Sequence, residues 1–256
     1  MSITEALISG VVQGLTEFMP VSSSGHLVLV HKFFGLSEPS IFFDICLHVG
    51  TLMAVLIYFG KDILSMIREK RTDWLLFIAI GTVPAVIAAL LFEEKISLVF
   101  ISPKKVAFMF IVTALALFVG QISQVKRACP GKGPTALTSL LVGIGQAFAL
   151  LPGVSRSGMT ISSGLLGGMN AENAFKFSFL LSIPVILGAT LYKALKIDFA
   201  SAVLSNVGNY ATGMIAAFVV GFLSLMLLWR AVKARRLFIF GIYCLLLGLA
   251  GILFWE

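Results

Sequence analysis

Six apolar runs, near 42–59, 74–92, 106–124, 175–195, 210–229 and 237–255, dominate this sequence. A helix needs about 20 such residues to cross the hydrocarbon of a bilayer, and each run approaches or meets that length. Only 12% of the 256 residues are charged, roughly half the ~25% found in ordinary water-soluble domains. A soluble enzyme with a single buried core is excluded. The pattern calls for an all-α polytopic membrane protein, one transmembrane domain over 1–256, because a helix satisfies its own backbone hydrogen bonds in lipid.

Two further apolar regions, 3–36 and 135–170, are each interrupted by a polar cluster. The first cluster runs Pro20-Val21-Ser22-Ser23-Ser24-Gly25 and the second Pro152-Gly153-Val154-Ser155-Arg156-Ser157-Gly158. Irregular backbone at membrane depth survives only inside protein or along a wet cavity, so each region reads as a re-entrant helical hairpin. A shift of 133 places Gly10 on Gly143, Gln13 on Gln146, Ser22 on Ser155, Ser24 on Ser157 and Gly25 on Gly158. A shift of 134 places Phe43 on Phe177 and Tyr58 on Tyr192. The chain therefore reads as two repeats, about 1–125 and about 135–256, each a hairpin followed by three spans. An odd number of spans inverts the second repeat relative to the first, the plan of many transporters.

The net charge of +7 follows membrane topology. Twelve basic residues fall in the gaps at 60–73, 125–134, 168–176 and 230–236, six fall on the opposite side, and Arg156 remains inside a hairpin. The positive-inside rule places the richer side in the cytoplasm and both termini outside. No stripe of basic and aromatic residues points to nucleic acid. The N-terminus lacks a basic leader and carries Glu5, so it reads as part of the mature chain. Cys46, Cys129 and Cys244 are scattered and odd in number, and read as free thiols.

The chemistry gathers in the two interruptions. Arg156 keeps its charge, and burying it in a membrane costs at least ~2.5 kcal/mol, so it needs an anionic partner. Ser155, Ser157 and Thr160 stand beside it at the expected start of a helix, where free N–H groups attract phosphate. Arg adds a planar fork that matches phosphate oxygens; a structural ion pair with Glu17 is the competing role. In the first interruption, Gln13 and Glu17 share one helical face, Pro20 ends the helix, and Ser22, Ser23, Ser24 and His26 open the next. A carboxylate, three hydroxyls and an imidazole around one break suit an activated hydroxyl nucleophile, with one of Ser22 and Ser24 serving as a helix cap. Asp44 and His48 form another i, i+4 pair, expected to make a local ion pair or support the site. Pro84 and Pro184 are expected to kink their spans.

Together, QGLTEFMPVSSSGH at 13–26 and LPGVSRSGMT at 151–160 resemble the undecaprenyl pyrophosphate phosphatase family, the bacitracin-resistance proteins of bacterial cell-wall synthesis. The resemblance implies a plasma-membrane hydrolase converting the C55 prenyl diphosphate to the monophosphate with a divalent cation, Mg²⁺ or Ca²⁺. The family's motif residues fall on Glu17, Ser23 and His26 in the first block and on Ser155, Arg156, Ser157 and Thr160 in the second. Glu17, Ser23, His26 and Arg156 are the expected catalytic residues: Ser23 the nucleophile, His26 its base or the acid for the leaving group, and Glu17 to orient His26, hold a cation, or both; direct attack by water activated by Glu17 and His26 is the competing chemistry. Gln13, Ser22, Ser24, Ser155, Ser157 and Thr160 would bind the phosphates. Some members carry a second Glu where this chain has Gln13, so metal binding is expected of Glu17 alone. The expected partners are the prenyl diphosphate and membrane lipid, with room for a homo-oligomer. Paired hairpins also suit an anion carrier or a flippase of lipid phosphates, the alternative function.

Overall fold

A computed structural model describes residues 1–34, 41–100, 102–126, 133–195 and 207–254, with only the backbone of 31–34, 97, 100 and 126. Cys129, Arg127, Lys132 and Lys196 lie outside the described residues, as do the side chains of His31, Lys32 and Lys126. The described residues form eleven helices and no strand. They are α1 (Ile3–Phe18), α2 (Ser23–Phe34), α3 (Ile41–Tyr58), α4 (Gly60–Arg68), α5 (Thr72–Phe100), α6 (Pro103–Lys126), α7 (Ala136–Phe148), α8 (Arg156–Leu166), α9 (Ala171–Ala194), α10 (Val207–Lys233) and α11 (Leu237–Phe254).

Six of these, α3, α5, α6, α9, α10 and α11, are long and apolar enough to cross a membrane. They coincide with the six runs in the sequence. Their outer faces carry Leu90, Leu91, Leu246 and Leu253, all strongly exposed, whereas Gln13, Thr51, Thr113, Gln146, Ser178 and Ser182 are buried. Polar groups inside and leucines outside is the distribution that a lipid solvent selects. The protein is a multi-pass membrane protein.

The remaining long elements form the two interrupted regions, α1 with α2 and α7 with α8. Each hairpin leans on the middle span of the other half: α1 packs along α10, and α7 along α5. Glycines permit both crossings. A Cβ on Gly10 would stand 2.4 Å from the carbonyl oxygen of Gly213, and one on Gly143 would stand 2.5 Å from that of Gly81. Helix backbones touch this closely only through residues without a side chain. The last spans of the two halves, α6 and α11, pack on each other.

Two local details depart from expectation. The polar gap at 60–73 holds a helix, α4, whose Met66 is buried against the main core. In α5 the one residue with non-helical φ/ψ is Phe92, and neither Pro84 nor Pro184 disturbs the helical dihedrals around it. Cys46 and Cys244 are free thiols.

Candidate active site

Each hairpin breaks where the sequence places its Pro/Ser/Gly cluster. Phe18 is the last residue of α1, and Ser22, in the left-handed region at φ 69°, precedes α2. The Ser22 hydroxyl accepts from the Gly25 N–H at 3.4 Å and from the Gly153 N–H at 3.1 Å. It therefore caps its own helix and ties the first hairpin to the turn of the second. In the second hairpin Gly153, at φ 93°, makes the sharp turn, with its Cα packed where a Cβ would strike the Val106 carbonyl at 2.4 Å. Ser155 then caps α8 by accepting from Gly158 N–H at 3.1 Å. Thr113 of α6 stitches this turn, donating to the Gly153 carbonyl and accepting from the Ser155 N–H, both at 2.9 Å.

These caps aim two helix N-termini at one carboxylate. Glu17 Oε2 accepts from Ser23 Oγ at 2.6 Å and from Gln13 Nε2 at 3.2 Å, while Oε1 accepts from Arg156 Nη2 at 2.8 Å. Glu17 and Arg156 side chains are 8% and 14% exposed, so this is a pair held away from water yet still reachable. Ser23 and Arg156 are the first residues of α2 and α8. The N–H groups of Ser23 and Ser24, and of Arg156 and Ser157, take no partner among the described residues. Arg156 Nη1 is likewise buried without an acceptor, and its guanidinium lies 5.9 Å from the Phe179 ring centroid. Uncommitted N–H donors at paired helix starts beside a cation make a site for a multiply charged anion.

The other expected residues fall into two groups. Ser155, Ser157 and Thr160 are almost completely buried, and their hydroxyls are used internally. Ser155 Oγ lies 3.3 Å from Ser157 Oγ, and Thr160 donates to the Arg156 carbonyl at 2.8 Å and meets Ser178 Oγ at 2.6 Å. They hold the N-terminus of α8 in place. Ser24 is half-buried, 3.4 Å from Ser22 Oγ. Among the described residues no hydrogen bond joins His26 to Ser23. Its Nδ1 lies 2.8 Å from the Ser22 carbonyl and its Nε2 lies 2.6 Å from Tyr243 Oη, with the two rings stacked 5.7 Å apart. The carbonyl can only accept, so Nδ1 carries the proton and Nε2 faces the tyrosine. The base within reach of Ser23 is therefore Glu17, not His26.

The Asp44–His48 pair divides. Asp44 accepts from Lys193, whereas His48 Nδ1 meets Gln13 Nε2 at 3.2 Å and so joins the cluster around Glu17. Tyr243, Thr113 and Phe179 carried no signal in the sequence: each reaches the site across tens to hundreds of residues and lies in an ordinary apolar span. Among the described residues no three His, Cys, Asp or Glu side chains form a metal cluster. Gln13 Oε1 is nonetheless buried without a donor beside the Glu17 carboxylate. One carboxylate and one free amide oxygen fit a cation whose remaining ligands are water and substrate phosphates, as is usual for Mg²⁺.

The family described as bacitracin resistance protein BacA matches residues 6–250 of this chain. A protein of Carboxydothermus hydrogenoformans named undecaprenyl-diphosphatase is 44% identical, with 89% of this chain and 84% of the relative covered. One of Burkholderia cenocepacia named undecaprenyl-diphosphatase 1 and one of Methanosphaera stadtmanae named undecaprenyl-diphosphatase are each 38% identical, covering 99% of this chain and 98% of the relative. Both interrupted hairpins and all six spans lie within the matched residues, and the chain belongs to the bacitracin resistance protein BacA family.

Proposed function

We propose that this protein hydrolyses undecaprenyl diphosphate to undecaprenyl phosphate in the bacterial plasma membrane, returning the lipid carrier to cell-wall synthesis. The observation that carries this reading is the Glu17 carboxylate, shared by the Ser23 hydroxyl and the Arg156 guanidinium between two helix N-termini. The names of the relatives support the same substrate. The apolar tail stays in lipid beside the spans, and the diphosphate enters between the hairpin breaks.

Arg156 Nη1 and the free N–H groups of α2 and α8 bind phosphate oxygens and offset charge as it shifts in the transition state. As the guanidinium turns toward phosphate, Glu17 is left to serve as base. Ser23 Oγ attacks the terminal phosphorus, and the bond from that phosphorus to the bridging oxygen breaks. The Ser23 proton passes through Glu17 to the departing prenyl phosphate. Water then attacks the phosphoserine; its proton returns through Glu17 to Ser23 Oγ, and inorganic phosphate leaves. A divalent cation, Mg²⁺ or Ca²⁺, would be held by Glu17 with Gln13 Oε1 and would supply Lewis-acid charge to the phosphates. His26, held by Ser22 and Tyr243, orders the first turn of α2 and can exchange a proton with solvent or phosphate through Nε2.

The two-to-one excess of basic residues supports a cytoplasmic position for the gaps at 60–73 and 230–236, with both termini outside and the second repeat inverted. Cysteines placed in those gaps should label only from the inside; labelling from outside reverses the orientation.

The test of function is phosphate release from a prenyl diphosphate by the purified protein in detergent, with and without chelator. Wild type should release phosphate, and Ser23→Ala should release none and trap no phosphoserine. No release by wild type with any cation overturns the phosphatase. Full activity in Ser23→Ala removes the covalent step and leaves attack by water. Activity indifferent to chelator removes the cation.

A further inference from the structure

A second cationic feature lies away from the hairpins. Where α3 ends and α10 makes its last turn, a cavity of about 440 Å³ opens between them, lined by Tyr58, Lys61, Phe222, Met226, Trp229 and Arg230. Lys61 and Arg230 form no ion pair among the described residues, and the neighbouring carboxylate of Asp62 is committed to Lys176 at 2.6 Å. Two free cations thus face one opening at the ends of two spans. Below them the lining turns apolar. Met226 lies one turn deeper than Arg230, about 6 Å at 1.5 Å per residue, and Phe222 about 12 Å deeper. Charge at the rim over an apolar slot matches the profile of a lipid, with its headgroup at the interface and its chain below.

The opening is also separated from the Glu17 site. Phe175 packs against Tyr58, Trp229 and Phe179 with centroids 6.3, 5.1 and 4.8 Å away, and Phe179 in turn underlies Arg156. A wall of aromatic rings therefore stands between the two. Basic pockets between membrane helices attract anionic headgroups, each Lys or Arg near the surface adding to the attraction.

We infer that this groove binds one anionic glycerophospholipid, its phosphate held between Lys61 and Arg230 and one acyl chain lying along Met226 and Phe222. Two such charges favour an anionic over a zwitterionic headgroup by up to roughly 30-fold. Trp229 lines the groove and reports on it.

The test uses full-length protein carrying Trp74→Phe and Trp255→Phe, in nanodiscs of unlabelled phosphatidylcholine with a small fraction of dibrominated lipid. Dibromo-phosphatidylglycerol should quench Trp229 at several-fold lower mole fraction than dibromo-phosphatidylcholine. Lys61→Gln with Arg230→Gln should abolish that difference while leaving the elution profile and melting temperature in place. Equal quenching by the two lipids, or a difference that survives in the double variant, overturns the site. Displacement by prenyl monophosphate at lower mole fraction than by phosphatidylglycerol also overturns it, because the groove would then serve the substrate lineage. None of these readouts depends on phosphatase activity, so the proposal can fail while the catalytic reading stands.

Discussion

The two hairpins share a backbone device and divide the chemistry between them. At a shift of 133, Ser22 and Ser155 both cap the second helix of their hairpins, through Gly25 and Gly158. One residue further, the repeat holds a hydroxyl at Ser23 and a guanidinium at Arg156, and both point at Glu17. The carboxylate has no twin, because Leu150 stands at its place in the second hairpin, and Met159 stands where the first has His26. The matched positions thus place two helix N-termini together, and a few unmatched side chains supply the hydroxyl, the carboxylate and the guanidinium. In the proposed reading, the paired helix N-termini bind the anion and the side chains that differ between the hairpins carry the reaction.

The largest effect should come from removing a group that has no counterpart in the other half. Arg156→Ala should lower kcat/KM for a prenyl diphosphate by about 10³-fold, the scale of losing a charge donor aimed at a transferring phosphoryl group. Glu17→Gln should do comparable damage. Because the two act as one unit, the double variant should be little worse than either single one. Strictly multiplicative losses would mean that the ion pair seen here has no part in the reaction.

Next in size are the caps, which test the shared device. Ser155→Ala should cost about 1 kcal/mol of stability. Ser22→Ala should cost about 1–2 kcal/mol more, since it also leaves the buried Gly153 N–H without an acceptor. Thermal melts in one detergent compare them directly; equal melting temperatures would remove Ser22 as the tie between the hairpins.

A smaller effect is expected at Tyr243. Its hydroxyl is bonded to His26 Nε2 at 2.6 Å, so Tyr243→Phe leaves the stacking intact and frees that nitrogen. A loss of about tenfold in kcat with unchanged KM would mark His26 as held for proton exchange by Tyr243. Unchanged kcat would reduce the pair to a structural contact.

The sequence made the spans and hairpin breaks legible because both are local signals: runs of about 20 apolar residues, and Pro, Ser and Gly where the backbone must leave the helix. It also singled out Glu17, Ser23 and Arg156, which the fold brings within hydrogen-bond reach of one another. It did not show where each one points. Ser155, Ser157 and Thr160 read as phosphate ligands from their place beside Arg156 at a helix start, and the sequence did not show that their hydroxyls also bond within the fold, to their own backbone and to neighbours such as Ser178. His26 sits three residues from Ser23, which suggests a nucleophile and its base; on a helix that spacing instead turns the imidazole back onto the Ser22 carbonyl, and the partner at Nε2 lies 217 residues away. The i, i+4 spacing of Asp44 and His48 likewise suggested a local pair or a supporting role at the site; Asp44 pairs with Lys193, and His48 joins the Glu17 cluster through Gln13.

The subtlest test concerns the one polar residue the repeats share deep in the first helix of each hairpin. Gln13 is bonded to Glu17 and His48. Gln146, its counterpart, is equally buried, and neither end of its amide has a hydrogen-bond partner among the described residues. The second half explains why: Leu150 replaces the carboxylate, and Ser182, at the position matching His48, is too short a substitute and donates to the Phe179 carbonyl. A buried amide without partners costs about 1–3 kcal/mol, so Gln146→Leu should stabilise the protein, raising its melting temperature by about 2–4 °C per kcal/mol gained and leaving activity in place. Gln13→Leu should do the reverse on both counts, stranding His48 and loosening Glu17. If Gln146→Leu instead lowers stability or activity as Gln13→Leu does, the second hairpin holds working polar chemistry of its own, and the division of labour between the halves fails.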